Sequence, residues 1–157
     1  GNMYTGNYLR TEGTNGVLNF GKQFTQRPTR LKGYFKYTSV EINKSNDEMK
    51  YLIGQPDTCQ IFIALGDWSE PVEIRTKPSD RKLFDKNDPH IIAYADMYSG
   101  KSITEYTPFT LELEYRDTDR IPTYIVVVAS ASKYGDYFTG GDGSVLFLDD
   151  FTLEYDY

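Results

Sequence analysis

Residues Pro108–Asp117 read PFTLELEYRD. In an extended chain Phe109, Leu111, Leu113 and Tyr115 fall on one side, and Thr110, Glu112 and Glu114 on the other. Side chains of a strand alternate between faces, so this is a half-buried antiparallel strand. The same period runs through Arg30–Tyr37, RLKGYFKY. Leu31, Gly33, Phe35 and Tyr37 share one face, while Lys32, Tyr34 and Lys36 make the other cationic and aromatic. CQIFIAL (Cys59–Leu65) and TYIVVVASAS (Thr123–Ser132) are short, β-branched and almost continuously apolar, as strands covered on both faces should be. HIIAYAD from His90 and SVLFLDDFTLEY from Ser144 add two more strands, with VLNF and VEIRT as shorter candidates.

Turn-rich stretches separate these runs: PDT before Cys59, GDWSEP from Gly66, KNDP before His90 and DTDRIP before Thr123. KSNDEMKYL, Lys44–Leu52, is the one segment that reads as a helical turn. Many short strands without crossover helices predict an all-β chain: a two-sheet antiparallel β-sandwich or jelly roll. The 157 residues suit a single domain over 1–157, with residues 1–20 as an N-terminal strand or lead-in.

Composition narrows the function classes. Asp plus Glu number 23 against 17 Lys plus Arg, a net charge of −6, so the basic footprint of a nucleic-acid binder is missing. No apolar run reaches the ~20 residues of a membrane-spanning helix. The single cysteine, Cys59, sits in an apolar strand and reads as a buried thiol. A chain that opens on Gly1-Asn2 reads as the C-terminal part of something longer.

His90 is the sole histidine. Ser-His-Asp and Cys-His triads and ordinary zinc sites each need at least one histidine suitably placed, whereas His90 follows Asp88-Pro89 as an exposed loop imidazole. GGDG, Gly140–Gly143, leads into a strand rather than a helix, so it lacks the N-terminus that would hold a phosphate. Paired carboxylates remain, as glycoside hydrolysis requires two acids across the scissile bond. Glu105, Glu112, Glu114, Asp149 and Asp150 are candidates, and Asp136 with Asp149 is the pair an enzyme reading would choose. Counting in twos back from Phe151 aims Phe147 and Asp149 at the core. A buried carboxylate there would need hydrogen-bond donors, a structural calcium ion, or a β-bulge that turns it outward.

Sugars call for aromatic rings to meet their C–H faces and short polar side chains to meet their hydroxyls. Trp68, Tyr98, Tyr134, Tyr137 and Phe138 supply the rings, with Lys133, Asp136 and Arg75 as hydrogen-bonding partners. Five of these eight fall in SKYGDYFTGGDG, Ser132–Gly143, a connection of twelve residues. A turn that only reversed the chain needs about two to five. Its length and glycine hinges therefore favour a binding loop, with an Ω-loop packed on itself as the alternative.

RPTRLKGYFKY, DTCQIFIAL, PFTLELEY and the block from IPTYIVVV to the C-terminus resemble, in order, the putative carbohydrate metabolism domain of surface and secreted proteins of gut Bacteroidetes. The resemblance runs from about Gly21 to the end. It is most specific at SKYGDYFTGGDGSVLFLDD, and Ala131 stands where the family often has serine. It implies a jelly-roll sandwich, an upstream immunoglobulin-like domain, and a lipoprotein or secretory signal, hence a cell-surface or periplasmic location. It brings no established site residues with it. The expected function is non-catalytic binding of an oligo- or polysaccharide, without a cofactor. The alternatives are a glycoside hydrolase and an adhesive module docking a protein on the Lys32, Tyr34 and Lys36 face.

Overall fold

The two apolar runs lie side by side. In the computed structural model, which describes residues 1–156, β6 (Cys59–Gly66) and β11 (Tyr124–Ser130) pair without interruption, from Gly66 opposite Tyr124 to Gln60 opposite Ser130. They form the middle of a sheet ordered β1 (Asn2–Tyr4), β11, β6, β8 (Ile91–Ser99) and β10 (Glu114–Tyr115), with β4 (Lys22–Gln23) against the start of β11.

Both faces of this sheet's two middle strands are covered, which is why β6 and β11 are almost continuously apolar. Ile61, Ile63, Leu65 and Val127 pack inward against Leu31, Phe35, Phe109 and Leu111. These belong to a second sheet ordered β12 (Val145–Glu154), β5 (Arg30–Thr38) and β9 (Ile103–Glu112). The chain is thus an antiparallel β-sandwich, as the alternation predicts. The opposite face presents Phe62, Val126 and Val128 to Phe20, Trp68 and Ile74. A third sheet, β2 (Gly6–Glu12), β3 (Asn15–Phe20) and β7 (Val72–Arg75), supplies part of that cover. Each such side chain contributes about 1.5–3 kcal/mol on full burial. Residues 1–20, expected as an N-terminal strand or lead-in, build β1 of the central sheet and β2 and β3 of the third.

The expected helical turn is a 3-10 helix over Asp47–Leu52, capped by the Asn46 side chain, which accepts from the Met49 amide at 3.0 Å. Cys59 is fully buried and burial pushes its thiol up to about 11. Among the described residues no helix is long and apolar enough to cross a membrane.

β12 corrects the phase that simple counting gives. Leu146 and Leu148 pack on the core, and so do Phe151 and Leu153. The register moves between Asp149, opposite Tyr34, and Thr152, opposite Lys32, so Asp150 and Phe151 together face Gly33. This bulge takes Asp150 to φ 58° and leaves Asp149 exposed. Asp149 thus points to solvent instead of the core.

Candidate functional site

The long connection from β11 to β12 is fastened at its base by a residue that local sequence does not single out. Asp57 is 1% exposed. Its Oδ2 accepts the Ser132 hydroxyl at 2.6 Å and the Gly141 amide at 2.8 Å, and its Oδ1 accepts the Thr58 amide at 2.9 Å. Gly140 exchanges hydrogen bonds with Lys44 in both directions, at 3.0 and 3.1 Å. A Cβ on Gly141 would stand 2.5 Å from Val40 Cγ2. The GGDG glycines thus permit close approach of two backbones, and a large part of the loop is structural.

The remainder faces a cleft. A 3-10 turn, Gly135–Tyr137, ends on Phe138 in the left-handed region, φ 53°, with its ring exposed. Lys133 Nζ lies 4.2 Å from the Tyr98 ring centroid and 5.3 Å from that of Tyr134. The Tyr98 hydroxyl donates to Asp96 Oδ2 at 3.1 Å, and the Tyr94 hydroxyl donates to the same atom at 3.1 Å. Burial, and then Asp96, raise the pKa of both phenols. Tyr98 stands opposite Gln60, and Gln60 opposite Ser130, so the three form a polar row across β8, β6 and β11. Beside this row is a cleft of about 50 Å³, floored by Gln60 and Ser130 and walled by Lys133 and Asp136 from the loop.

Burial pushes the Asp136 carboxyl up, and Arg81 opposes that shift. The Arg81 guanidinium sits 4.4 Å from the Tyr137 ring centroid and donates from Nη1 to Glu48 at 3.0 Å. Its Nε and Nη2 are buried without a partner among the described residues. These are donors of the kind a ligand hydroxyl could satisfy.

Four of the eight expected sugar-binding residues therefore meet: Tyr98, Lys133, Tyr134 and Asp136. Tyr137 and Phe138 share the loop, but Arg81 covers one face of Tyr137. Trp68 is a correction. It is 7% exposed, its indole donates to Asp88 at 3.0 Å, and its ring rests on Gly66, where a Cβ would come within 2.3 Å. It is a core residue with no free face to stack on. Arg75 is a second correction, because on β7 its guanidinium is committed to Glu73 and Asp80.

The Asp136 and Asp149 pair is a third correction. Asp136 lines a cleft on one side of the central sheet, whereas Asp149 is exposed on a strand of the sheet that covers the other side. The exposure of Asp149 also removes the buried carboxylate that motivated a calcium ion. Among the described residues no group of three or more His, Cys, Asp or Glu could hold a metal. His90 is exposed, as expected, with Nδ1 2.9 Å from Asp88 Oδ1.

Sequence reasoning missed Asp57, Arg81, Gln60 and Asp96. Only the last two carry a local signal: Gln60 opens a strand on its polar phase, and Tyr94, Asp96 and Tyr98 alternate along β8. A separate hollow of about 400 Å³ lies where the chain passes from β9 to β10, with Asp96, Glu112 and Glu114 in its lining.

The family model described as "Putative carbohydrate metabolism domain" matches residues 1–154. The chain belongs to this family. The match takes in residues 1–20 as well, consistent with their place in two of the sheets. Among curated proteins none matches. Two solved structures share the family member's fold. One is titled a putative glycoside hydrolase from Bacteroides thetaiotaomicron VPI-5482, at 22% identity and a TM-score of 0.69, covering 91% of this chain and 47% of that one. The other is titled a putative glycoside hydrolase from Bacteroides vulgatus ATCC 8482, at 21% identity and a TM-score of 0.67, covering 90% and 63%. The chain thus spans about half of the first and under two thirds of the second.

Proposed function

We propose that this family member is a non-catalytic, jelly-roll carbohydrate-binding module that captures an oligo- or polysaccharide outside the cytoplasm, at the cell surface or in the periplasm. The observation that carries the reading is the Tyr98–Lys133–Tyr134 cluster, whose Lys133 also lines a small cleft of mixed polar and apolar character. The partly exposed Tyr98 ring, the Lys133 ammonium set against it and the Asp136 carboxyl give stacking, donor and acceptor functions within one site. Gln60 and Ser130 add further hydrogen-bonding groups at its floor. Asp57 holds the loop rigid, so little ordering is left to oppose binding. The wider protein, with an upstream immunoglobulin-like domain, would present this module as one part of a larger glycan-handling chain.

Titration calorimetry against plant and host polysaccharides tests the proposal. Tyr98→Ala and Lys133→Ala should each weaken binding by about tenfold, or ~1.4 kcal/mol. Unchanged affinity in both variants would remove the cleft from the binding site.

A second reading, glycoside hydrolysis, is favoured by the hollow lined by Asp96, Glu112 and Glu114. It offers the carboxylates that such chemistry requires, in place of Asp136 and Asp149. Reducing-end release from the same polysaccharides, abolished in Glu112→Gln or Glu114→Gln, would establish it. No release from any substrate that binds would rule it out.

A further inference from the structure

We propose that the outer face of the β12–β5–β9 sheet is a second saccharide-binding surface, which takes a neutral glycan chain across Tyr34. The inference rests on the carbohydrate reading for the class of ligand and on a separate region for the site.

The face is an ordered ladder with β5 in its centre. At one end Arg30 is held between Glu112 and Glu154, at 3.0 and 3.1 Å. At the other end Lys36 Nζ lies 4.6 Å from the Phe147 ring centroid and 4.9 Å from that of Tyr106. Between these closed ends the middle rungs are open. Tyr34 stands between Asp149 and Pro108, and Lys32 between Thr152 and Thr110. A hollow of about 210 Å³ opens there, with Lys32, Tyr34, Pro108, Asp150, Thr152 and Glu154 in its lining.

The bulge in β12 shapes this hollow. Two residues, Asp150 and Phe151, stand opposite Gly33 alone, and Phe151 goes inward against the spot where a Gly33 Cβ would sit. Bulges recur beside functional sites because they redirect side chains in this way. A face meant only for solvent has no use for a platform of exposed rings, yet Tyr34, Tyr106 and Phe147 are each more than 40% exposed.

The chemistry fits a sugar chain. The Tyr34 ring and the Pro108 ring offer flat apolar area to pyranose C–H bonds, while the Asp150 carboxylate and the Thr152 hydroxyl accept from sugar hydroxyls. From Lys32 to Lys36 the strand rises roughly 13 Å, so the face is longer than a single sugar ring. Charge selects the ligand. Lys32 is paired with Glu154 at 3.5 Å and Lys36 is held over its two rings, which leaves Asp149 and Asp150 as the exposed charges beside Tyr34. That rim repels uronates and sulfated sugars. Pro108 has no amide hydrogen to offer on the edge strand β9, which disfavours pairing with a strand from a protein partner.

Affinity electrophoresis through gels containing soluble xylan, glucomannan or galactan, with polygalacturonate as the acidic control, tests this. Tyr34→Ala should weaken retardation by a neutral polymer roughly tenfold, with an unchanged Tm, and Tyr106→Ala by less. Wild-type behaviour in Tyr34→Ala, alongside loss in Lys133→Ala, would overturn the inference and leave the loop cleft standing. Preference for polygalacturonate would overturn the charge argument, and no retardation of the unmodified protein by any polymer would overturn both sites. Amide chemical shifts of the unmodified protein give an independent reading. With the matching oligosaccharide, those of Thr110 and Thr152 should move; movement confined to Gln60 and Ser130 would overturn the second surface.

Discussion

The loop that joins β11 to β12 and the bulge inside β12 both depend on an aspartate, and the two aspartates are placed in opposite ways. Asp57 is buried, and both its oxygens are saturated by donors from the loop and its own neighbour. Asp150 is exposed, its backbone bent to φ 58°, with its side chain at the edge of a hollow. A charge enclosed by donors makes its surroundings rigid, whereas a charge lifted out by a bulge remains available to a partner. One aspartate builds a surface, and the other is part of one.

The largest test of that contrast is Asp57→Ala. It strips three hydrogen bonds from a buried carboxylate and leaves the Ser132, Gly141 and Thr58 donors unmatched, which costs about 4 kcal/mol. A fall in Tm on the order of 10 °C should follow for a chain of this length. Thermal unfolding by circular dichroism reads it. A fall of only a degree or two would mean that the loop keeps its shape without this anchor.

Gly141→Ala should cost less, roughly 2 kcal/mol, because Val40 must give way to the new methyl group. Amide exchange should quicken at Gly140 and Lys44, where the backbones bond. At the bulge the sign reverses: Asp150→Gly relieves a left-handed backbone and should be neutral or stabilising by up to about 1 kcal/mol. If it destabilises instead, the Asp150 side chain has a structural role that the comparison denies it.

These contrasts also mark what the sequence could disclose. The long strands of the sandwich were legible, because burial on one face or two writes itself into local alternation at Phe109–Tyr115, Leu31–Tyr37 and Ile125–Ala129, and VLNF and VEIRT gave β3 and β7 of the third sheet. The short β1 and β4 were not, and neither was β2, which is mostly exposed and shows no such pattern. Asp57 was invisible for another reason: Ser132 and Gly141, which it binds, lie 75 and 84 residues away. Trp68 read as an exposed loop ring because nothing nearby announces that Phe84 and Gly66 will close around it. The phase of β12 raised the question of Asp149 without deciding it, and of the alternatives the β-bulge is the one that occurs. The cluster of Tyr98, Lys133 and Tyr134 was legible only as residue types, not as neighbours.

The smallest expected effect concerns Asp136, the carboxylate that lies between these extremes: partly enclosed in the cleft, yet with no donor bonded to it among the described residues. Burial holds its folded pKa above the ordinary value, with Arg81 opposing. Between the unfolded and folded pKa the native state retains a proton that the unfolded chain has lost, so stability declines as pH rises through that window. Well below about 3.9, both states are protonated and the penalty vanishes. Asp136→Asn should accordingly match the wild type in strong acid and become the more stable protein as pH rises, reaching a constant difference above the folded pKa. Urea unfolding of both proteins across this range measures the difference with the other carboxylates cancelled. A difference independent of pH would mean that Arg81 compensates the burial of Asp136 in full, which would make the pair a structural ion pair like Arg75 with Asp80 and leave no unsatisfied acceptor in the cleft for a sugar hydroxyl to meet.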